Sequence, residues 1–184
     1  MSVEQFNLNE GQRAERKTLL TVVEWTEGVG TTATQEREIL GTRTEDSSVE
    51  FNPDIETTTD IRGNNYTDMN KTQPQQQFDP YLVLGGSKLG AKLHDIMLRN
   101  AVSELNQFTV YLITSYITAT ATVSGSSKTV YKAQKQEQCT ITYDSLGGDV
   151  NVNFPITVYF SNKSTNGYVT ELTDNFDFIT SLTV

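Results

Sequence analysis

Two long stretches lie at the centre of this sequence: FTVYLITSYITATATV, residues 108–123, and KTVYKAQKQEQCTITY, residues 128–143. Both are rich in β-branched and aromatic residues, which favour strands. Residues 124–127 between them read Ser-Gly-Ser-Ser, and the glycine suits a hairpin turn that needs a positive φ. The sequence therefore predicts a long β-hairpin over residues 108–143.

Alternate residues of the second stretch should lie on opposite faces of the strand. One face is predicted to carry the apolar and aromatic residues together with Cys139, with Lys135 and Glu137 as interruptions. The opposite face is polar and consists of Lys132, Gln134, Gln136 and Gln138.

The segments before the hairpin have different characters. Residues 1–16 are polar and predict an arm without a core of its own. Residues 71–86 contain two prolines and a glutamine run, which predict a long loop without regular structure, with Phe78 and Tyr81 as its apolar anchors. Residues 87–102 predict one helix, since Ser87 suits an N-cap and apolar residues recur at helical spacing after it.

Shorter strands are predicted on both sides of the helix and hairpin, over residues 18–25, 34–44, 55–61, 66–69, 150–160, 168–172 and 176–184. In residues 55–61 the period-two pattern predicts a packed face and a wet, acidic face with Glu56 and Asp60. Asn166-Gly167 is a hairpin signal. The expected fold is a single mainly β domain over residues 1–184, a β-sandwich or barrel with one flanking α-helix.

Composition argues against several classes of function. The net charge of −9 and the scattered basic residues disfavour a protein that reads nucleic-acid sequence. His94 and Cys139 are the only residues of their types, and Gly85-Gly86-Ser87-Lys88 lacks the spacing of a phosphate loop. We expect no catalytic residue, no metal site and no cofactor. No stretch is apolar for the roughly 20 residues of a membrane span, and the N-terminus lacks a signal-peptide pattern, so synthesis in a cytosol is expected.

The length of the central hairpin suggests self-association. A straight strand over residues 108–123 would span roughly 50 Å, whereas a compact chain of this size is about 40 Å across. A projecting ribbon would leave backbone groups unpaired unless sister chains supply the partner strands. The alternative is that bulges or bends divide these strands within an ordinary sandwich.

Residues 45–63 read EDSSVEFNPDIETTTDIRG, and residues 70–81 read NKTQPQQQFDPY. A predicted helix that begins Ser-Lys-Leu at residue 87 and a long strand follow them. In these features, over about residues 17–125, the chain resembles the major tail proteins (tail-tube subunits) of long-tailed bacteriophages.

The resemblance implies a β-sandwich subunit that forms hexameric rings, which stack into a hollow tube for DNA delivery. Terminal arms and a long loop would bridge successive rings, which makes Phe6, Phe78 and Tyr81 candidate inter-ring contacts. The implied partners are the chain itself and other tail proteins, such as the tape measure, tail completion and baseplate or tip proteins. The implied location is the virion tail, assembled in the host cytoplasm.

Genome DNA would pass through the lumen without specific binding. An acidic or polar wall lets DNA slide, because it offers no cation to the phosphates. The candidate lumen-facing residues are Glu56, Asp60, Gln134, Gln136 and Gln138. The alternative for each is an ordinary solvated strand face on the exterior.

Two other functions remain open at this point. The chain could be a viral β-sandwich binding module, such as a capsid-decoration or receptor-binding domain. It could also be an enzyme whose site escapes motif recognition, which the single histidine and single cysteine disfavour.

Overall fold

A computed structural model describes residues 4–28, 30–42, 44, 47–123, 125–149, 151–161 and 163–182. The strands are β1 Gln5–Phe6, β2 Leu19–Glu27, β3 Thr34–Ile39, β4 Val49–Glu50, β5 Pro53–Thr59, β6 Asn65–Thr72, β7 Gln75–Phe78, β8 Phe108–Val123, β9 Ser126–Tyr143, β10 Ile156–Tyr159, β11 Ser164–Val169 and β12 Phe178–Ile179. The α-helix, α1, is Lys88–Arg99. The predicted fold class, mainly β with one flanking helix, is confirmed.

Strand β9 joins two sheets. The first sheet has the order β3-β2-β8-β9, and β11 and β12 continue it beside residues 131–136 of β9. The second sheet has the order β9-β10-β7-β4 and uses residues 140–143 of β9. One continuous strand therefore belongs to both layers of the sandwich, which is how strands commonly form the corner between two sheets.

A bulge in β9 marks the place where it changes sheet. Phe108 of β8 pairs with Cys139, but Val110 pairs with Gln136, so β9 has one extra residue between these pairs. Gln138 has a φ of 59°, a left-handed conformation that is uncommon outside glycine. The extra residue puts Gln136 and Cys139 on the same face, and the predicted division of β9 into two continuous faces is wrong.

A second irregularity divides β8. Pairing with β9 stops at Thr114 and resumes at Thr118, which leaves three residues of β8 outside the ladder. Strand β1 pairs with β8 here, and the Asn7 amide donates to the Tyr116 carbonyl at 2.8 Å. The bulges therefore divide the central hairpin, as the alternative to a straight ribbon supposed. Residues 5–6 of the predicted N-terminal arm thus pair with the first sheet.

The main core lies between the two sheets and beneath α1. Its largest fully buried side chains include Phe78, Leu89, Leu93, Ile96, Phe108, Ile141, Phe154 and Ile156. The predicted N-cap is confirmed, because the Ser87 hydroxyl accepts a hydrogen bond from the Gly90 amide at 3.0 Å. The helix ends earlier than predicted, at a left-handed Asn100.

The other face of the first sheet is covered by the C-terminal segment. Tyr111 packs edge-on against Phe176, with ring centroids 5.0 Å apart. Arg37 donates to the Phe176 carbonyl at 2.6 Å and forms a 2.6 Å ion pair with Glu24. These contacts attach the segment to β2, β3 and β8.

Two further predictions of local structure are wrong. Residues 75–78 form a strand inside the segment predicted as a loop, because Gln76 is fully buried and hydrogen-bonds Thr21 and Ser47 at 2.8 and 3.0 Å. Asn166-Gly167 lies within β11, paired with β9, and does not form a turn. Glycine is required at 167 because a Cβ there would collide with the Ile179 carbonyl of β12.

Candidate self-association surface

Strands β5 and β6 form an arm that stands apart from both sheets. They pair with each other and with no other strand of the described chain. Every residue of β5 is exposed to solvent. At about 3.3 Å per residue the arm extends roughly 25 Å from its root. Both faces and both outer edges of this ribbon are consequently open, which corrects the prediction that one face of residues 55–61 is packed.

Exposed apolar side chains lie along the arm, including one cross-strand pair on one of its faces. Ile55 and Met69 lie opposite each other and are 58% and 64% exposed. Ile61 at the tip is fully exposed, and Phe51 at the root is 64% exposed. Clusters of large apolar side chains without cover are typical of interaction sites. The described chain provides no cover for these side chains.

The other face of the arm is acidic. Glu56 lies directly opposite Asp68 in the ladder. Like charges in this position repel each other and destabilise a two-stranded ribbon. Neither carboxylate has an ion-pair partner among the residues that the structure describes.

Asp60 shapes the turn at the tip. Its carboxylate accepts hydrogen bonds from the Asn64 amide at 2.9 Å, the Arg62 amide at 2.8 Å and the Tyr66 hydroxyl at 3.2 Å. The bonds from Asn64 come first among the causes that hold the pKa of Asp60 below its usual value. Asp60 therefore acts as a turn acceptor, and its charge is engaged within the arm.

A groove lies where the arm leaves the body. It has a volume of about 440 Å³, and its apolar lining includes Leu19, Val49, Phe51 and Leu112. Two cations, Arg16 and Lys132, also line it. The groove thus combines apolar walls with positive charge.

Of these two cations, only Lys132 has an ion-pair partner among the described residues. Lys132 forms a 2.5 Å ion pair with Glu4, which also accepts from the Tyr168 hydroxyl. The hydrogen bond from Lys132 is the largest cause of the lowered pKa of Glu4. Arg16 donates only to backbone carbonyls, at 2.6 and 2.9 Å to Ser47 and at 2.6 Å to Leu19. Arg16 is therefore a positive charge that no carboxylate of the described chain neutralises.

A larger groove, of about 690 Å³, lies between α1 and residues 82–86, 146–147 and 151–152. Val83, Leu146 and Val152 on its rim are exposed, and His94 is among its lining residues. Unlike the groove beside the arm, it has no Lys or Arg among its described lining residues.

The predicted inter-ring contacts fall in different environments. Phe6 is 70% exposed and stacks on Tyr116, with ring centroids 6.2 Å apart. Phe78 and Tyr81 are only 1% and 7% exposed. Their side chains belong to the core of this chain and present no surface to another subunit, which corrects the prediction for these two residues.

The predicted lumen-facing residues lie on two different parts of the chain. Glu56 and Asp60 lie on the arm, while the three glutamines lie on β9. Gln136 is buried and donates to the Gln134 side chain at 2.9 Å, so it cannot line a lumen in this conformation. Gln138 is exposed at the bulge.

The sequence interpretation missed Asp68, Met69 and Arg16. Asp68 and Met69 could have been found by folding the chain back about Arg62, which pairs them with Glu56 and Ile55. Nothing in the sequence near Arg16 signals that its charge lacks a partner.

Within the described ranges, no three His, Cys, Asp or Glu side chains are grouped to hold a metal ion. Cys139 is buried, its thiol donates to the Gln136 carbonyl at 3.4 Å, and burial raises its pKa. Among the helices of the described residues, none combines the length and apolar character needed to cross a membrane.

The comparisons with protein-family models and with curated proteins returned no match to this chain.

Proposed function

We propose that this chain is a self-assembling structural subunit, of the kind that forms hexameric rings stacked into a phage tail tube. The observation that carries the proposal is the β5–β6 arm. A two-stranded hairpin is marginally stable in water by itself. This one also exposes apolar side chains and opposes two carboxylates. An arm of this kind is best explained by a neighbouring subunit that covers it.

The tip of the central hairpin provides a second argument. Residues 119–123 of β8 and 126–130 of β9 pair with each other at the tip. Their outer edges pair with no other strand of the described chain. Free edges invite pairing with another chain. A ring of identical subunits would use such edges without leaving any exposed.

The tube is the assembly that the sequence resemblance favours, over residues 17–125. In this proposal the other tail proteins contact the ends of the tube, and the particle is assembled in the host cytoplasm. DNA crosses the lumen without specific binding, consistent with the net charge of −9. Gln138 is the predicted lumen residue outside the β5–β6 arm whose side chain is exposed and carries no side-chain hydrogen bond in the described chain.

Replacement of the arm tests the proposal. Pro53 pairs with Thr72, so residues 54–71 can be replaced by Asn-Gly, a sequence that connects paired strands. We expect the wild-type protein to form rings or tubes in electron micrographs, and the shortened variant to stay monomeric with an unchanged melting temperature. Dispersed single particles of the wild-type protein at high concentration would contradict the proposal and favour a binding module.

The lumen prediction is tested on the assembled tubes. Wild-type tubes should not retain short duplex DNA in sedimentation at low salt. Tubes with Gln138→Lys should retain it, and the retention should fall as salt is raised, because the binding is to phosphate. Equal behaviour of the two tubes would remove Gln138 from the lumen.

A further inference from the structure

We infer that the groove around Arg16 receives the β5–β6 arm of a second copy of this chain, with Arg16 placed against Glu56 and Asp68 of that arm. The inference rests on the proposed self-assembly and names the surface that the arm contacts.

Charge complementarity is the first argument. Among the described residues, the two opposed carboxylates of the arm pair with no cation, and the Arg16 guanidinium in the groove pairs with no carboxylate. Arg16 is held in place by the Ser47 and Leu19 carbonyls, so its position in the groove is fixed before an anion arrives. A guanidinium is suited to carboxylates because its donors form a rigid planar fork.

The apolar surfaces also match. The arm exposes Ile55 and Met69, and the groove is lined by Leu19, Val49 and Leu112. A ribbon that lies in a groove can contact its walls with both faces, so the apolar and acidic faces are buried together. Burial of apolar surface supplies affinity, and the charges set the register.

The occupant is another copy, since the chain's own arm does not enter the groove. The arm begins beside it, at Phe51, and then pairs only with itself. The larger groove beside α1 is a poorer receptor, because it offers no cation to Glu56 and Asp68.

A charge exchange tests the contact. We expect Arg16→Glu, and separately Glu56→Lys with Asp68→Lys, to raise the protein concentration needed for half-assembly by at least about tenfold, because each change opposes like charges. All three substitutions in one chain should restore assembly to within about threefold of the wild type. Light scattering and electron microscopy provide the readout.

Matched controls change charges that lie next to the proposed contact but do not belong to it. Lys17→Glu changes the residue next to Arg16, but Lys17 has Glu15 as a partner at 2.5 Å. Asp54→Asn changes a charge on the same arm without opposing like charges, since Lys71 lies opposite Asp54. Both variants should assemble as the wild type does.

Disulfide trapping tests the contact without reversing a charge. Ser48 lines the groove, and Thr58 lies two residues from Glu56 on the same face of the arm. Chains with Ser48→Cys mixed with chains carrying Thr58→Cys should form a disulfide-linked pair under mild oxidation, while neither chain alone should. Cys139 does not interfere because it is buried.

The outcomes separate the two proposals. If the wild type forms tubes but the combined variant is not rescued and no disulfide is trapped, the groove assignment is wrong and the proposed function stands. If the wild type forms no assembly, both are wrong. Rescue together with trapping establishes the contact.

Discussion

Phe78 was predicted to contact another subunit, but its side chain lies in the core. The two roles predict opposite effects of its truncation on the stability of the monomer. The side chain is 1% exposed and lies on β7, where it pairs with Ile156 of β10. Truncation of a buried phenylalanine to alanine costs about 3–5 kcal/mol of unfolding free energy. In a domain of this size each 1 kcal/mol lowers the melting temperature by about 2–4 °C. Phe78→Ala should therefore lower it by about 6–20 °C.

The assay is equilibrium unfolding of the monomer in urea. Trp25 is the single tryptophan, is 4% exposed and belongs to the same core cluster as Phe78, so its fluorescence reports on this region. Phe6→Ala is the control, because Phe6 is 70% exposed and its loss should change the unfolding free energy by no more than about 0.5 kcal/mol. If Phe78→Ala leaves the unfolding curve unchanged but prevents assembly, Phe78 is a subunit contact and the core assignment is refuted.

Three further predictions concern charges and backbone conformation. Hydrogen bonds, first from Arg99, lower the pKa of Glu104 to about 2. The contribution of Glu104 to stability is therefore complete above about pH 4.5 and is lost as the pH falls toward 2. Melting temperatures measured across this range should depend less on pH in the Glu104→Gln variant. Because Gln138 has a positive φ, urea unfolding should show that Gln138→Val lowers stability by about 1–2 kcal/mol while Gln138→Gly does not lower it. Glu4→Gln should lower the protection factor of the Asn7 amide in hydrogen exchange. A drop in pH through the lowered pKa of Glu4 should do the same, once each rate is compared with the intrinsic rate at that pH. Equal protection factors would mean that this ion pair does not hold β1.

Local sequence patterns correctly predicted the helix and the turn of the central hairpin. The helix was identified by a capping serine and an apolar stripe, and Ser87, Leu89, Leu93 and Ile96 have the expected roles. The hairpin turn near Gly125 was also predicted, and Gly125 has a φ of 78°; Ser124 of that turn lies outside the described residues.

The errors arise where distant parts of the chain decide the structure. Gln76 looked like part of a polar loop, but Thr21 and Ser47 satisfy its amide in the core. The alternation of β9 predicted two regular faces, and a single extra residue at Gln138 exchanged them beyond that point. The groove around Arg16 was beyond prediction because it needs residues from β4, β8, β9 and β11 together.

The passage of β9 through both sheets has a mechanical consequence. The unbroken backbone of β9 connects the two layers. Strands β8 and β11 pair with it in the first sheet, and β10 pairs with its residues 140–143 in the second sheet. A force that pulls the layers past one another must break ladder hydrogen bonds on β9 before the sandwich can shear. Under tension the β5–β6 arm should therefore deform first, because neither of its strands pairs with a strand of the two sheets in the described chain. The sandwich should keep its structure under the same force.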